Sequence, residues 1–232
     1  MRCHSHENGN PENIICLDPR IREDDTGNTD RINPMAKNLK FIGLSGTNGS
    51  GKDAAGHMLA EKHGYLFIDV ADLLRNEARR RAIVVERKNL RTISAEWRRE
   101  LGLGVLVDKA IAQYEKDSDK YSGVVIASLR NPGEADRIHE FGGTVVWLDA
   151  DQRVRYDRIQ KSITIRNRAG EDNKTFEEFQ NEEYAEMHPT EGSDNAALNM
   201  LGVKEKSDIL ISNDLNDLDV FRTLVEKALG LD

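Results

Sequence analysis

Five apolar runs punctuate the chain, at residues 41–44 (FIGL), 65–70 (YLFIDV), 121–129 (YSGVVIASL), 144–148 (TVVWL) and 207–212 (SDILIS). Each is continuous rather than alternating, the pattern of strands buried on both faces of a parallel sheet. Between them the period lengthens. Leu90, Ile93, Trp97, Leu101, Val105, Ala110, Ile111 and Tyr114 fall mostly three or four apart, which predicts helix over 89–115. Gly102 and Gly104 predict a break there and hence two helices. Further helices are expected after residue 53, from Asp72 as a cap, from Pro132 to about residue 140, over 149–161, over 176–187 and over 217–231. Strands alternating with helices predict an α/β fold with a five-stranded parallel sheet covered on both faces. Ligands of such sheets bind beyond the carboxyl ends of the strands.

The first strand and the helix after it enclose the stretch on which the rest is organised, GTNGSGKD: Gly46, Thr47, Asn48, Gly49, Ser50, Gly51, Lys52 and Asp53. The spacing G-x-x-x-x-G-K is that of a phosphate loop. Glycines let backbone N–H groups turn inward onto one anion, and the helix N-terminus adds its dipole. Lys52 is expected to reach the β and γ phosphates of a nucleotide. The next position usually carries Ser or Thr for Mg²⁺, and here it is Asp53, the candidate metal ligand. Other candidates also sit at strand ends: Asp72 and Arg75 after the second strand, Arg130 after the third, and Asn213 after the fifth.

Composition narrows the classes. The chain has 232 residues, 38% hydrophobic and 32% charged, with a net charge of −8 and a mean hydropathy of −0.63. Such an acidic balance argues against general nucleic-acid binding. No run approaches a membrane span, and the N-terminus has no apolar leader, so a cytoplasmic protein without a membrane partner is expected. Residues 1–36 are polar and read as a disordered tail, with MAKNLKFIGLSG a natural opening for the 37–232 domain. Cys3, His4, His6 and Cys16 lie in that tail at a spacing that matches no familiar zinc pattern.

The phosphate loop, the DLLR element, the arginine after the third strand and the arginine-rich segment after the fourth resemble the nucleoside monophosphate kinase group of P-loop kinases. The run VVIASLRNPGEADRIHEFGGTVVWLDADQRVRYDRI, with KTFEEFQNEE later, is similar to dephospho-CoA kinase and its relatives. The resemblance implies a three-layer P-loop NTPase fold with a helical acceptor-binding insertion near 72–118 and a lid near 162–200. It implies ATP and Mg²⁺ as cofactors and a small-molecule phosphate acceptor, with a monomer or small homo-oligomer expected. By it, residues Gly46 to Lys52 hold the donor phosphates, and Asp72 stands beside the acceptor hydroxyl. Arg75 and Arg130 hold the acceptor's phosphate. Arg158, with Arg166 or Arg168 of the lid, neutralises the transferring group, and Asn213 begins the loop packed on adenine. Two departures stand out: Asp53 in the loop, and Ala127 where relatives often carry an acid. The activity implied is ATP-dependent phosphoryl transfer like that of dephospho-CoA kinase. A nucleoside or deoxynucleoside monophosphate kinase, and a non-catalytic nucleotide-binding regulator, are the alternatives.

Overall fold

A computed structural model describes residues 15–16, 39–166, 174–189, 192–215 and 217–231. Five strands run parallel, β2 (Phe41–Gly46), β3 (Tyr65–Asp69), β4 (Gly123–Leu129), β5 (Thr144–Asp149) and β6 (Ile209–Ser212). A two-residue strand, β1 (Ile15–Cys16), pairs antiparallel with β6, so the sheet order is β1-β6-β5-β2-β4-β3. The remainder of the tail expected at 1–36, with Cys3, His4 and His6, lies outside the described residues.

The five expected strands are all present, and their order puts β2 at the centre, between β4 and β5. The chain leaves β2 for β3 on one side and crosses from β4 to β5 on the other, so a crevice opens beyond the carboxyl end of β2. Helices cover both faces and make three layers. On one face α1 (Lys52–His63) and α9 (Leu218–Leu229) enclose Ile42, Leu44, Val125, Ala127, Val146 and Leu148. On the other, α2 (Val70–Arg80), α3 (Arg87–Leu101), α4 (Val105–Tyr114), α5 (Pro132–Glu140) and α8 (Met200–Lys206) enclose Ile68, Val124, Ile126, Val145 and Trp147. Two further helices, α6 (Gln152–Arg166) and α7 (Phe176–Met187), lie beside the crevice.

Local chemistry sets the helix ends. Gly102, at φ 101°, ends α3 as the sequence predicts. Asn131 and Glu134 form a capping box at α5 with Pro132 in its first turn, and Thr175 and Glu178 do the same at α7. Two expectations are corrected. The second strand stops at Asp69, and α2 starts at Val70, so Asp69 rather than Asp72 is the cap: its carboxylate accepts from the Ala71 N–H at 3.0 Å. The short helix α8 was not expected, because seven residues with only Met200 and Val203 buried give no readable period.

Gly46 closes β2 at φ 139°, and a Cβ there would lie 1.9 Å from the Leu148 carbonyl oxygen. A strained backbone alone costs about 1–3 kcal/mol. Gly46→Ala should therefore destabilise the protein by about 3 kcal/mol or more in urea unfolding; a loss below about 1 kcal/mol would contradict this packing.

Candidate active site

The loop from Gly46 to Lys52 wraps tightly because three glycines adopt left-handed or extended positive φ: Gly46, Gly49 at 83° and Gly51 at 103°. Each also lies where a side chain has no room. A Cβ on Gly49 would meet the Arg155 carbonyl at 2.8 Å, and one on Gly51 the Asn213 amide at 2.7 Å. Side chains from three other elements then fix the loop. The Thr47 hydroxyl donates to Asp149 Oδ1 at 2.7 Å, and the Asn213 amide donates to the Ser50 carbonyl at 2.8 Å. Buried Arg155 donates to the Asn48 carbonyl at 3.3 Å and to the Ala150 carbonyl at 2.7 Å. Lys52, also buried, donates to the Thr47 carbonyl at 3.3 Å, which arches it over the loop. Inward-turned backbone, the N-terminus of α1 and a buried lysine are the donor set that a polyphosphate requires.

Beside the loop lies an open cleft, bounded by Lys52 and Asp53 on one side and by α2, α3 and the β4 end on the other. Six cations line it: Lys52, Arg75, Arg87, Arg91, Arg98 and Arg130. Among the described residues three carboxylates do, Asp53, Asp69 and Glu186. The surplus is positive in a chain whose net charge is −8. Among the described residues no group of three or more His, Cys, Asp or Glu forms a closed metal cluster.

Expected site residues divide in two. Lys52, Asp53, Arg75 and Arg130 meet in this cleft. Asp72 does not line it. Its carboxylate is 62% exposed and holds the Arg75 guanidinium at 2.8 Å from outside, while buried Asp69 takes the inner position, 3.8 Å from the same guanidinium. Arg158 is turned away too, donating to the Leu215 carbonyl at 2.7 Å. Burial lowers its pKa from the usual arginine value, against the opposing pull of Asp214. Arg166 ends α6, and its side chain, like Arg168, lies outside the described residues. Asn213 spends its amide on the loop itself.

Ala127 brings no polar group to the cleft, and the next position brings a hydroxyl rather than an acid. Ala127 is fully buried under α1, and the β2–β4 register skips Ser128 between Ala127 and Leu129. That bulge, with Ser128 at φ 71°, turns the serine to the cleft lining.

An ion-pair frame holds the arginines. Glu134, fully buried, accepts from Arg98 at 2.7 Å and from the Arg130 N–H at 2.6 Å. Glu186 of α7 accepts from Arg130, from Arg91 at 2.7 Å and from Arg87 at 3.4 Å. Burial favours its neutral form, but Arg130, Arg87 and Arg91 outweigh that and bring its pKa down to about 2. Arg130 is shifted the other way: burial opposes its charge, and Glu186, then Asp69 and Glu134, hold it above the usual arginine value. Neither Glu186 nor its arginines Arg87 and Arg91 carried a signal in the sequence beyond charge.

Fold, phosphate loop and cleft together define a P-loop α/β nucleotide-binding protein. The chain belongs to the AAA domain family, AAA_18, whose profile matches residues 42–184, and to the UPF0200 proteins through a relative in Hyperthermus butylicus. That relative is 31% identical over 148 residues, 63% of this chain and 75% of its own length. A shikimate kinase of Gloeobacter violaceus is 32% identical over 117 residues, covering 50% of this chain and 60% of that enzyme. Among solved structures, shikimate kinase from Acinetobacter baumannii in complex with shikimate superposes with a TM-score of 0.45 at 18% identity, over 83% of this chain and 92% of that one. Among the described residues no helix is long and apolar enough to cross a membrane.

The depressed pKa of Glu186 has a stability consequence. An unfolded glutamate protonates near 4.5, the folded one near 2. The contribution is therefore complete above about pH 4.5 and is lost as pH falls toward 2. The midpoint of thermal unfolding should fall more steeply between pH 5 and pH 3 in the wild type than in Glu186→Gln; parallel curves would contradict the assignment.

Proposed function

We propose that this protein is an ATP-dependent phosphotransferase that moves the γ-phosphoryl group of ATP to a small anionic acceptor held in the arginine-lined cleft. The observation that carries the reading is the sharing of one cleft by the phosphate-loop lysine, a strand-end carboxylate and five arginines. A regulator that only bound nucleotide would have no use for a second, cationic compartment opening on the γ-phosphate side of the loop.

The residues fit ATP and Mg²⁺. The cradle of Gly46, Gly49 and Gly51 excludes side chains, as close approach of phosphate to backbone demands. Mg²⁺ is commonly held by one or two carboxylates together with substrate phosphates, and Asp53, beside Lys52, is the first candidate. Held there, the ion would neutralise charge on the donor's phosphates. Lys52 and the loop N–H groups bind the donor. Arg75 and Arg130 orient the acceptor, their planar forks matching oxyanions. Asp69, on the floor of the cleft, accepts the proton of an attacking hydroxyl. That role, first expected of Asp72, favours a hydroxyl acceptor, as in a dephospho-CoA kinase-like reaction. A nucleoside monophosphate acceptor attacks with an ionised oxygen and requires no base. The protein is proposed to act in the cytoplasm, with residues 37–232 as the catalytic domain and the 162–200 region serving as its lid.

A coupled ADP-release screen over dephospho-CoA, nucleoside and deoxynucleoside monophosphates and shikimate tests the reading. Acceptor-dependent ADP release with a hydroxyl acceptor is expected; nucleotide binding without such release against any acceptor would favour the regulator. Asp69→Asn retains a capping side chain and should lower kcat roughly a hundred- to ten-thousand-fold, with Asp72→Asn changing it far less. The opposite ranking would return the base to Asp72. Asp53→Ser retaining full Mg²⁺-dependent activity would remove Asp53 as the metal ligand.

A further inference from the structure

Glu186 has no part in the reaction above, yet it is the carboxylate set most tightly among the cleft arginines. Its helix is positioned without it. Phe179 of α7 is buried against Tyr156 and Phe176, and Glu183 clamps Arg155 at 2.8 Å. A single ion pair would be enough to add a tether. Instead three guanidinium groups from two separate elements converge on one carboxylate. Arg87 and Arg91 come from α3 and reach Oε1, and Arg130 comes from the β4 end and reaches Oε2. Glu186 is only 8% exposed, so water screens little of this charge. Three cations surround this one anion; Arg87 also lies 3.8 Å from Glu182 and Arg130 is also drawn to Asp69 and Glu134, while over the described lining six cations stand against three carboxylates. Forked donors from several directions around a bidentate oxyanion are the arrangement by which proteins hold phosphate or carboxylate ligands.

We infer that Arg87, Arg91 and Arg130 form the oxyanion-binding site of the acceptor, and that Glu186 is its internal occupant, exchanged for the acceptor's phosphate or carboxylate group on binding. Glu186 thus sets specificity by competition. It keeps three partly exposed arginines ordered in the cleft, and it admits only a ligand whose charged group outbids a carboxylate already in place. Neutral acceptors gain nothing from the exchange and leave Glu186 where it is. The inference rests on the proposed phosphotransfer only in calling the ligand an acceptor.

The test is calorimetric titration of the full chain with inorganic phosphate and, in a second arm, with acetate, with saturating ADP and Mg²⁺ present to fill the phosphate loop. Glu186→Gln keeps the side-chain shape and removes the competing charge. It should bind phosphate at least about tenfold tighter than the wild type, one factor of ten being about 1.4 kcal/mol. Arg91→Gln should bind it at least about tenfold more weakly. A preference for phosphate over acetate assigns a phosphorylated acceptor, and the reverse a carboxylate one. Unchanged or weaker phosphate and acetate binding in Glu186→Gln overturns the inference. Should that variant fail to fold, Arg91→Gln decides alone, and an affinity equal to the wild type's overturns it. Failure of ADP to bind, or of any acceptor to release ADP, sinks the proposed function instead, because the anion titration requires no turnover and can be repeated without ADP in a Lys52→Ala chain.

Discussion

A tight backbone loop between a buried strand and a helix governs the rest of this structure. Residues 46–52 turn with glycines at three positions where a Cβ would strike Leu148, Arg155 or Asn213. These are not independent accidents. Each of the three neighbours belongs to an element that also fixes the loop or the site around it: β5 through Asp149, α6 through Arg155, and the β6 end through Asn213. Backbone N–H groups can point at a ligand only while nothing collapses onto them, and those polar staples hold the loop open by satisfying its outward carbonyls. Central placement of β2 in the sheet is what brings all three elements within reach.

Charge is organised around the same point. An acidic chain gathers five arginines in the cleft beside the loop, and each is kept there by a carboxylate. Glu134 holds Arg98 and the Arg130 backbone, Glu186 holds Arg130, Arg91 and Arg87, and Asp69 with Asp72 holds Arg75. Breaking a buried pair by removing one partner typically costs about 3–5 kcal/mol, so the frame is rigid where it is complete. Guanidinium groups held in advance would lose little freedom on binding an oxyanion. Stability and the proposed binding therefore draw on the same residues, and α7 connects the arginine-lined cleft to the phosphate loop through Glu186 and Glu183.

Much of this was legible in the sequence. Five strands announced themselves because strands buried on both faces are continuously apolar, and the phosphate loop because its spacing has few other uses. What the sequence hid depends on where elements end and how they pair. Asp69 and Asp72 are three residues apart, and only the end of β3 decides which one caps α2 and faces the cleft. Ser128 is turned inward by a slip in strand pairing that no local pattern encodes. Glu186 lies 95 residues from Arg91 and 56 from Arg130, so nothing nearby marks it as their partner. Arg158, one turn from Arg155 on the same basic helix, shows the converse: composition identified the helix, and only the packing separates the arginine on the loop from the one turned away.

The central claim is that donor loop and cationic cleft form one transfer site. It is tested most directly by incubating the protein with ATP labelled in the γ-phosphoryl group and a small-molecule extract, and following the label. The account predicts that label leaves ATP for an organic phosphate ester or anhydride, and that Lys52→Ala abolishes the transfer. Label found only in inorganic phosphate, or retained in ATP while nucleotide stays bound, would contradict it.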